Sequence, residues 1–427
     1  MKCLHALCAF TLTTLAGLHL FSTATAQEAQ ALEPGNPVER EMAGGQTHAY
    51  GIALAAGQYL QLVVEQRGVD VVVVVFGPDG KKLAEVDSPN GTQGPEPVSL
   101  VAEASGNYRA EVRSLEKTAA TGRYEIKIQA LRAATPRDKS RVLAERSFNE
   151  AEQLRGQEQR ESLRRALEKY AEALPHWRAA EDSVREAETL LNLGQCHISL
   201  NEPRKATSWF EQALALRRGA GDRRGEAEAL HQLGRASYFS EDKARALDYY
   251  NQALPLWQTA GDRAGEAATL NNIGLVYDNQ GERRKALGYF ERALPLHRGA
   301  QDRQNESVAL DNMGRIYSFL GEKQKALDCY NQALALARAI GSRPREATTL
   351  HNLGNIYHSL GEMEKSLDFY RQSLALARAL GDRRRQALTL TSAGTVYDDL
   401  GEKRKALEHY TQALPLRRAV GDRRGEG

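Results

Sequence analysis

Cysteine is scarce in this chain: four in 427 residues, Cys3, Cys8, Cys196 and Cys329. The first two fall in the N-terminal stretch and the last two are far apart, so a disulfide-stapled fold is excluded and stability must come from packing. No Cys-x2-Cys pair is present, which removes zinc-finger and dithiol redox motifs. There is no Gly-rich phosphate loop in a strand-helix context and no nucleophile elbow. His351 and His358 stand two turns apart on one helix, about 10 Å by helix rise, too far to share a metal ion. Charge of one sign is also missing. Lys and Arg number 57 against 55 Asp and Glu, which argues against an electrostatic grip on nucleic acid. Beyond the first two dozen residues no apolar run is long enough to span a bilayer. No catalytic constellation, metal or cofactor is expected, and the chain is not read as an enzyme.

The one long apolar stretch lies at the start. Lys2 precedes a largely apolar segment from Leu7 to Phe21, and Ala24-Thr25-Ala26 is a small-x-small site before Gln27. This is the layout of a secretory signal peptide over residues 1–26, cleaved after Ala26. A mature protein in the periplasm or secreted, with no integral membrane segment, is the expectation.

Residues 34–133 hold short β-rich runs between Gly, Pro and Asn turns. Tyr50–Leu54, Tyr59–Val64, Val69–Phe76, Lys82–Val86, Val98–Val101, Tyr108–Val112 and Tyr124–Ile128 read as strands. Seven or eight such strands at this spacing predict a β-sandwich. Val69–Phe76, apolar apart from Asp70, reads as its central, doubly buried strand. Phe76-Gly77-Pro78-Asp79-Gly80 is a turn in which Pro presets φ and Gly supplies φ > 0. Asp70, Asp79 and Asp87 lack the tight alternation of oxygen ligands of a calcium loop and read as solvated turn acids. The segments Val38-Glu39-Arg40, Ala56-Gly57-Gln58-Tyr59, Gly68-Val69-Asp70 and Ser105-Gly106-Asn107-Tyr108 resemble the pre-peptidase C-terminal (PPC-type) sandwich of exported bacterial proteins. Ala133–Asp138 reads as a linker or helix start.

From Lys139 the texture turns helical, and a block recurs every forty residues. Gly221-Asp222-Arg223, Gly261-Asp262-Arg263, Gln301-Asp302-Arg303, Gly341-Ser342-Arg343, Gly381-Asp382-Arg383 and Gly421-Asp422-Arg423 keep this strict register. A fixed period in the 20–50 range means a solenoid of stacked supersecondary units. In residues 263–302, Leu270, Ile273, Gly274 and Tyr277 mark one face of a first helix, and Ala286, Phe290, Ala293 and Leu294 that of a second. Gly194, Gly234, Gly274, Gly314, Gly354 and Gly394 recur as a close-packing site. Phe210, Tyr250, Phe290, Tyr330, Tyr370 and Tyr410 recur as the aromatic opposite. Gly221 suits the left-handed residue after a helix and Asp222 the N-cap of the next. The pattern Leu-x2-Ile-Gly-x2-Tyr, Ala-x3-Phe-x2-Ala resembles the tetratricopeptide repeat. Its forty-residue form is similar to the arrays of Pins-type G-protein-signalling modulators and kinesin light chain. The expected architecture is α+β and multidomain: the sandwich, a degenerate capping repeat at 139–182, six repeats over 183–422, and the start of a truncated further repeat at 423–427. Pro175, Pro255, Pro295 and Pro415 replace the Ala of other units and predict kinks in the second helices.

Arrays of this kind hold partners and rarely carry chemistry. The first helices are expected to line the concave face. On them Asn192, Asn272, Asn312 and Asn352 recur, with Gln232 and Ser392 substituting. An asparagine both donates and accepts. The resemblance implies that such asparagines bond the backbone of an extended peptide; tying adjacent helices together is the other reading. Neighbouring positions expected to set specificity are Asn271, Arg235, Arg315, His351 and Asn355, with His231, Asp311, Tyr238 and Asp278 beside them. Arg235 and Arg315 are candidates for gripping carboxylates, while the Arg-rich turns read as a solvated rim. The partner is therefore a protein or peptide, not nucleic acid. The last residues copy the opening of another unit. Exported proteins with a similar sandwich and repeats often continue into a caspase-like CHAT domain, so a covalently linked C-terminal domain outside this chain is a second expectation. The chain would then be the recognition part of a peptidase. Envelope attachment through the sandwich is a third.

Overall fold

The computed structural model describes residues 29–87 and 91–421. The expected signal segment with its expected cleavage site, and the residues after Gly421, lie outside them. Among the described residues there are nine strands and then fourteen helices. The chain divides into two compact units at Val142/Leu143, and each is described by itself.

The strands are β1 (Gln30–Ala31), β2 (Val38–Met42), β3 (Thr47–Leu54), β4 (Gln58–Arg67), β5 (Val71–Phe76), β6 (Lys82–Val86), β7 (Gln93–Val101), β8 (Gly106–Ser114) and β9 (Gly122–Ala133). They form two sheets, ordered β1-β3-β8-β5-β6 and β2-β9-β4-β7. Alternate residues face inward, the period of two that one buried sheet face requires. Tyr50, Ile52 and Leu54 on β3, Tyr108, Ala110 and Val112 on β8 and Val71, Val73 and Val75 on β5 meet Leu60, Leu62 and Val64 on β4 and Tyr124 and Ile126 on β9 in one core. The expected central strand is second from the edge, because β6 flanks β5 and β8 takes the centre. Asp70 falls before β5. Strand β7 begins earlier than its apolar residues suggest and carries Pro95 and Pro97, which a sheet tolerates because β7 is an edge. The short edge strands β1 and β2 have almost no inward apolar pattern, so the sequence did not show them. Asp79 closes the expected turn by accepting from the Lys81 N–H at 3.0 Å.

Thr135, Pro136 and Asp138 start the first helix. The Asp138 carboxylate accepts from the Thr135 N–H at 2.8 Å, and the Asp138 N–H donates to Thr135 Oγ1 at 3.2 Å. This reciprocal cap has proline at the first helical position. The helices are α1 (Pro136–Arg155), α2 (Arg160–Ala179), α3 (Ser183–Ser199), α4 (Pro203–Gly219), α5 (Arg223–Phe239), α6 (Lys243–Ala260), α7 (Arg263–Asn279), α8 (Arg283–Gly299), α9 (Arg303–Phe319), α10 (Lys323–Ala339), α11 (Arg343–Ser359), α12 (Met363–Ala379), α13 (Arg383–Asp399) and α14 (Lys403–Ala419).

One contact defines each pair from α3/α4 onward. The glycine of the first helix lies so close to the aromatic of the second that a Cβ on Gly194 would sit 2.2 Å from the Phe210 ring, and one on Gly274 2.7 Å from Phe290. The same relation joins Gly234 to Tyr250 and Gly354 to Tyr370. Between pairs, Gly221 adopts φ 67° and Asp222 then accepts from the Gly225 N–H at 2.8 Å. A recurring bond ties four of the second helices to the next first helix: Arg178 to Glu186, Arg218 to Glu226, Arg298 to Glu306 and Arg338 to Glu346, at 2.6–2.8 Å; between α6 and α7 Gln258 donates to Glu266 instead, at 2.7 Å. The proline-containing helices α2, α6, α8 and α14 are each one unbroken element. All four prolines lie on the exposed side, where water can satisfy the carbonyl that each leaves without an N–H. Cys196 and Cys329 are separate buried thiols, each pushed up to about 11 by burial.

Candidate functional site on the first helices

Successive first helices touch along the array: α3 with α5, α5 with α7, α7 with α9, α9 with α11 and α11 with α13. Successive second helices make no contacts of like extent among the described residues. The array therefore bends toward its first helices, and these line the inner side.

That side carries a polar seam with a repeating geometry. His231 Nδ1 lies 2.9 Å from Thr269 Oγ1 of the next unit, and its Nε2 3.3 Å from Asn272 Nδ2. Two units on, Asp311 accepts from Thr349 Oγ1 at 3.1 Å and also bonds Asn352. His351 Nδ1 lies 3.2 Å from Thr389 Oγ1. At the start of the array Asn192 donates to Glu152 at 2.8 Å. Thus Asn192, Asn272 and Asn352 each reach back to the preceding unit. The threonines and Glu152 were missed from sequence, although Thr189, Thr269, Thr349 and Thr389 recur in the forty-residue register.

Between those nodes the seam has a gap. Asn271 stands where His231 and Asp311 stand in their units, but Ala309 replaces the threonine that would face it. The Asn271 Oδ1 and the Asn312 Nδ2 are both buried without a hydrogen-bond partner. One acceptor and one donor are thus left unpaired just beneath the middle of the inner face.

The remaining positions divide. Arg315 pairs with Asp278, and Arg235 donates to Gln232 of its own helix at 2.9 Å. Both arginines are partly engaged already. Asn355 is exposed and its Oδ1 accepts from the Tyr370 hydroxyl at 2.5 Å. Tyr238 packs on Phe239 with ring centroids 5.7 Å apart.

Electrostatics follow burial. Burial holds the His231 imidazole down to about 3, with Arg235 adding to it. His351 is held down to about 4 by burial and by Arg385. Burial pushes the Asp311 carboxyl up to about 6, against the bonds from Thr349 and Asn352. Both imidazoles are therefore neutral at physiological pH and suited to uncharged hydrogen bonding, while Asp311 ionises only above about 6. Among the described residues no three His, Cys, Asp or Glu side chains gather as a metal site, and no helix is long and apolar enough to cross a membrane.

The paired helices, the glycine-aromatic contact and the forty-residue register match the sequence profile of the tetratricopeptide repeat over residues 157–219, 225–299, 265–339 and 345–419. The chain belongs to the tetratricopeptide repeat family. No curated protein matches it. Among solved structures it is similar to aspartyl phosphate phosphatase F from Bacillus subtilis, with a TM-score of 0.55 and 13% identity over 68% of this chain and 73% of that one. It is also similar to a STAND signal-transduction ATPase with a tetratricopeptide repeat sensor from Pyrococcus horikoshii (TM-score 0.55, 19% identity), covering 67% of this chain and 45% of that chain. A third is the Rap conjugation gene regulator of plasmid pLS20, solved in complex with a Phr peptide, at TM-score 0.50 and 16% identity over 67% and 76% of the two chains. At these identities the tetratricopeptide likeness is one of fold.

Proposed function

We propose that this tetratricopeptide array is an interaction scaffold that holds an extended peptide or protein segment along its first helices. The observation that carries this reading is the gap in the polar seam. Asn271 Oδ1 and Asn312 Nδ2 are an unpaired acceptor and donor on adjacent units, and the N–H and C=O of a peptide backbone are their complements. The flanking Asn272 and Asn352 keep the inner face polar, with the buried His351 beneath it, while Arg235, Arg315 and Asn355 set the contacts a ligand's side chains meet. We further propose that residues 1–26 direct export and that the N-terminal sandwich is PPC-like; the leader layout and the quoted sandwich segments support this.

The test is selection of a binding peptide from a random display library against residues 27–427, then calorimetry with the selected peptide. The Asn272→Ala/Asn312→Ala variant should bind about tenfold or more weakly, as loss of buried hydrogen bonds implies, with helicity unchanged. Equal affinity would remove the asparagines from the site.

A further inference from the structure

At the start of the first helices two polar groups are each met by an arginine and a third is not. In α3, Arg185 donates to Glu188 at 2.7 Å and its guanidinium lies over Phe148 and Trp177, at 5.1 and 5.8 Å from the rings. In α13, the equivalent Arg385 reaches back one unit and donates to Thr348 at 2.8 Å; Thr348 is the counterpart of Glu188. An arginine thus serves this position either from its own unit or from the next. At Glu228, the same position in α5, both sources are missing. Gly225 stands in the place of Arg185, and Gly265 in the place of Arg385.

Arg217 packs against Gly225, where a Cβ would meet its Cδ at 2.5 Å, and Trp257 packs against Gly265; beside them lies a cleft of about 600 Å³, lined by Gly225, Glu228, His231, Gln232, Trp257 and Gly265 among others. Arg217 pairs through Nη1 with Asp222 at 2.8 Å, its Nε staying buried without a partner, and Arg224 pairs with Asp262 at 2.8 Å. Glu228 has no hydrogen-bond or ion-pair partner among the described residues, so the unmatched charge is negative. Burial pushes its carboxyl up, against the pull of Arg217. The indole of Trp257 borders the same cleft, only 7% exposed, and lies flat against Gly265, where a Cβ would meet it at 2.5 Å. A carboxylate beside an indole face is what holds the Arg185 guanidinium at the first unit.

We propose that this cleft between α5 and α7 is a socket for one arginine side chain of the bound partner, whose guanidinium pairs with Glu228 beside Trp257. The inference rests on the reading that the first helices hold a peptide, and it adds a specificity pocket at one place along it. An arginine from outside would restore the arrangement that Arg185 and Arg385 make internally.

The test uses blocked arginine (N-acetyl-arginine amide) as the probe and the Trp257 indole N–H signal as the readout, assigned by its loss in Trp257→Phe. Blocked arginine should shift that signal with half-saturation in the millimolar range. Blocked citrulline, equal in shape but uncharged, should bind about tenfold or more weakly, as loss of a charge-assisted pair implies. Glu228→Gln should abolish the preference while leaving the Trp177 and Trp209 signals in place. No shift up to about 100 mM, equal binding of citrulline, or an unchanged preference in Glu228→Gln would overturn the socket. Asn272 and Asn312 take no part in this measurement. An arginine preference together with undiminished peptide affinity in the asparagine variant would leave the socket standing and remove the backbone reading. The reverse pair of results would do the opposite.

Discussion

The sandwich and the array solve the problem of burying a core in opposite ways. In the sandwich, partners are distant in sequence: Val38 lies opposite Ile126 and Tyr59 opposite Val101. No strand can bury its inward face until the chain has returned on itself. In the array each unit meets only its neighbours, and the same glycine-aromatic contact is made again every forty residues. The difference teaches where damage travels. A defect in the sandwich is shared by every strand, whereas a defect in the array stays near its own unit.

The most severe way to test this contrast is Val73→Asp, which places an unpaired carboxylate in a position that is 0% exposed. The cost should exceed about 4 kcal/mol. Hydrogen exchange should show protection lost across all the long strands together. All three tryptophans lie at 177, 209 and 257, so tryptophan emission should stay as in the unaltered protein. Loss of both signals would mean that the two regions unfold as one. A milder break is Gly274→Val. Its Cβ meets the Phe290 ring, which is fully buried and has little room to move, so a cost of about 2–3 kcal/mol is expected. Exchange should accelerate in α7, α8 and the adjoining helices, and not in α13 and α14. Uniform acceleration from α1 to α14 would refute local coupling.

How much of this was legible follows from the same contrast. The forty-residue register exposed the helix pairs, the caps and the glycine-aromatic contact, because each appears many times and a chance match would not repeat. The sandwich strands with inward apolar residues could be read, but β1 and β2 could not. The seam was half legible. Asn272 and Asn312 stand out as a recurring residue type, yet Asn272 meets His231 of the preceding unit while Asn312 Nδ2 meets nothing, and sequence alone does not say which side chains meet. Glu228 gave no signal at all, since what distinguishes it is the absence of arginine at two other positions. The four prolines were half legible for a related reason: sequence shows the lost N–H, but which side of the helix faces water is decided by packing.

The smallest expected effect sharpens the picture inside the seam. Asp311 has its carboxyl raised to about 6 in the folded protein, above its value in the unfolded chain. The folded state therefore holds the proton more tightly, and ionised Asp311 costs stability. That cost is absent below about pH 4, grows between pH 4 and 6, and is constant above. Asp311→Asn should stabilise the array by about 1–2 kcal/mol at pH 7.5 and have no such benefit at pH 3.5. Urea unfolding monitored by circular dichroism at the two pH values would check it. A benefit independent of pH would show that Asp311 is ionised without penalty.

The glycine-aromatic contact also has a consequence for length. It is the same in every pair from α3/α4 onward, and each pair is joined to the next by a short turn of the same length. Residues 263–302 could therefore be deleted and the flanking units joined without creating a new kind of junction. The inner face would become one rung shorter, and the segment it accommodates shorter by the same step. The reach of this protein is a number of units, set by how many times one forty-residue sentence is written.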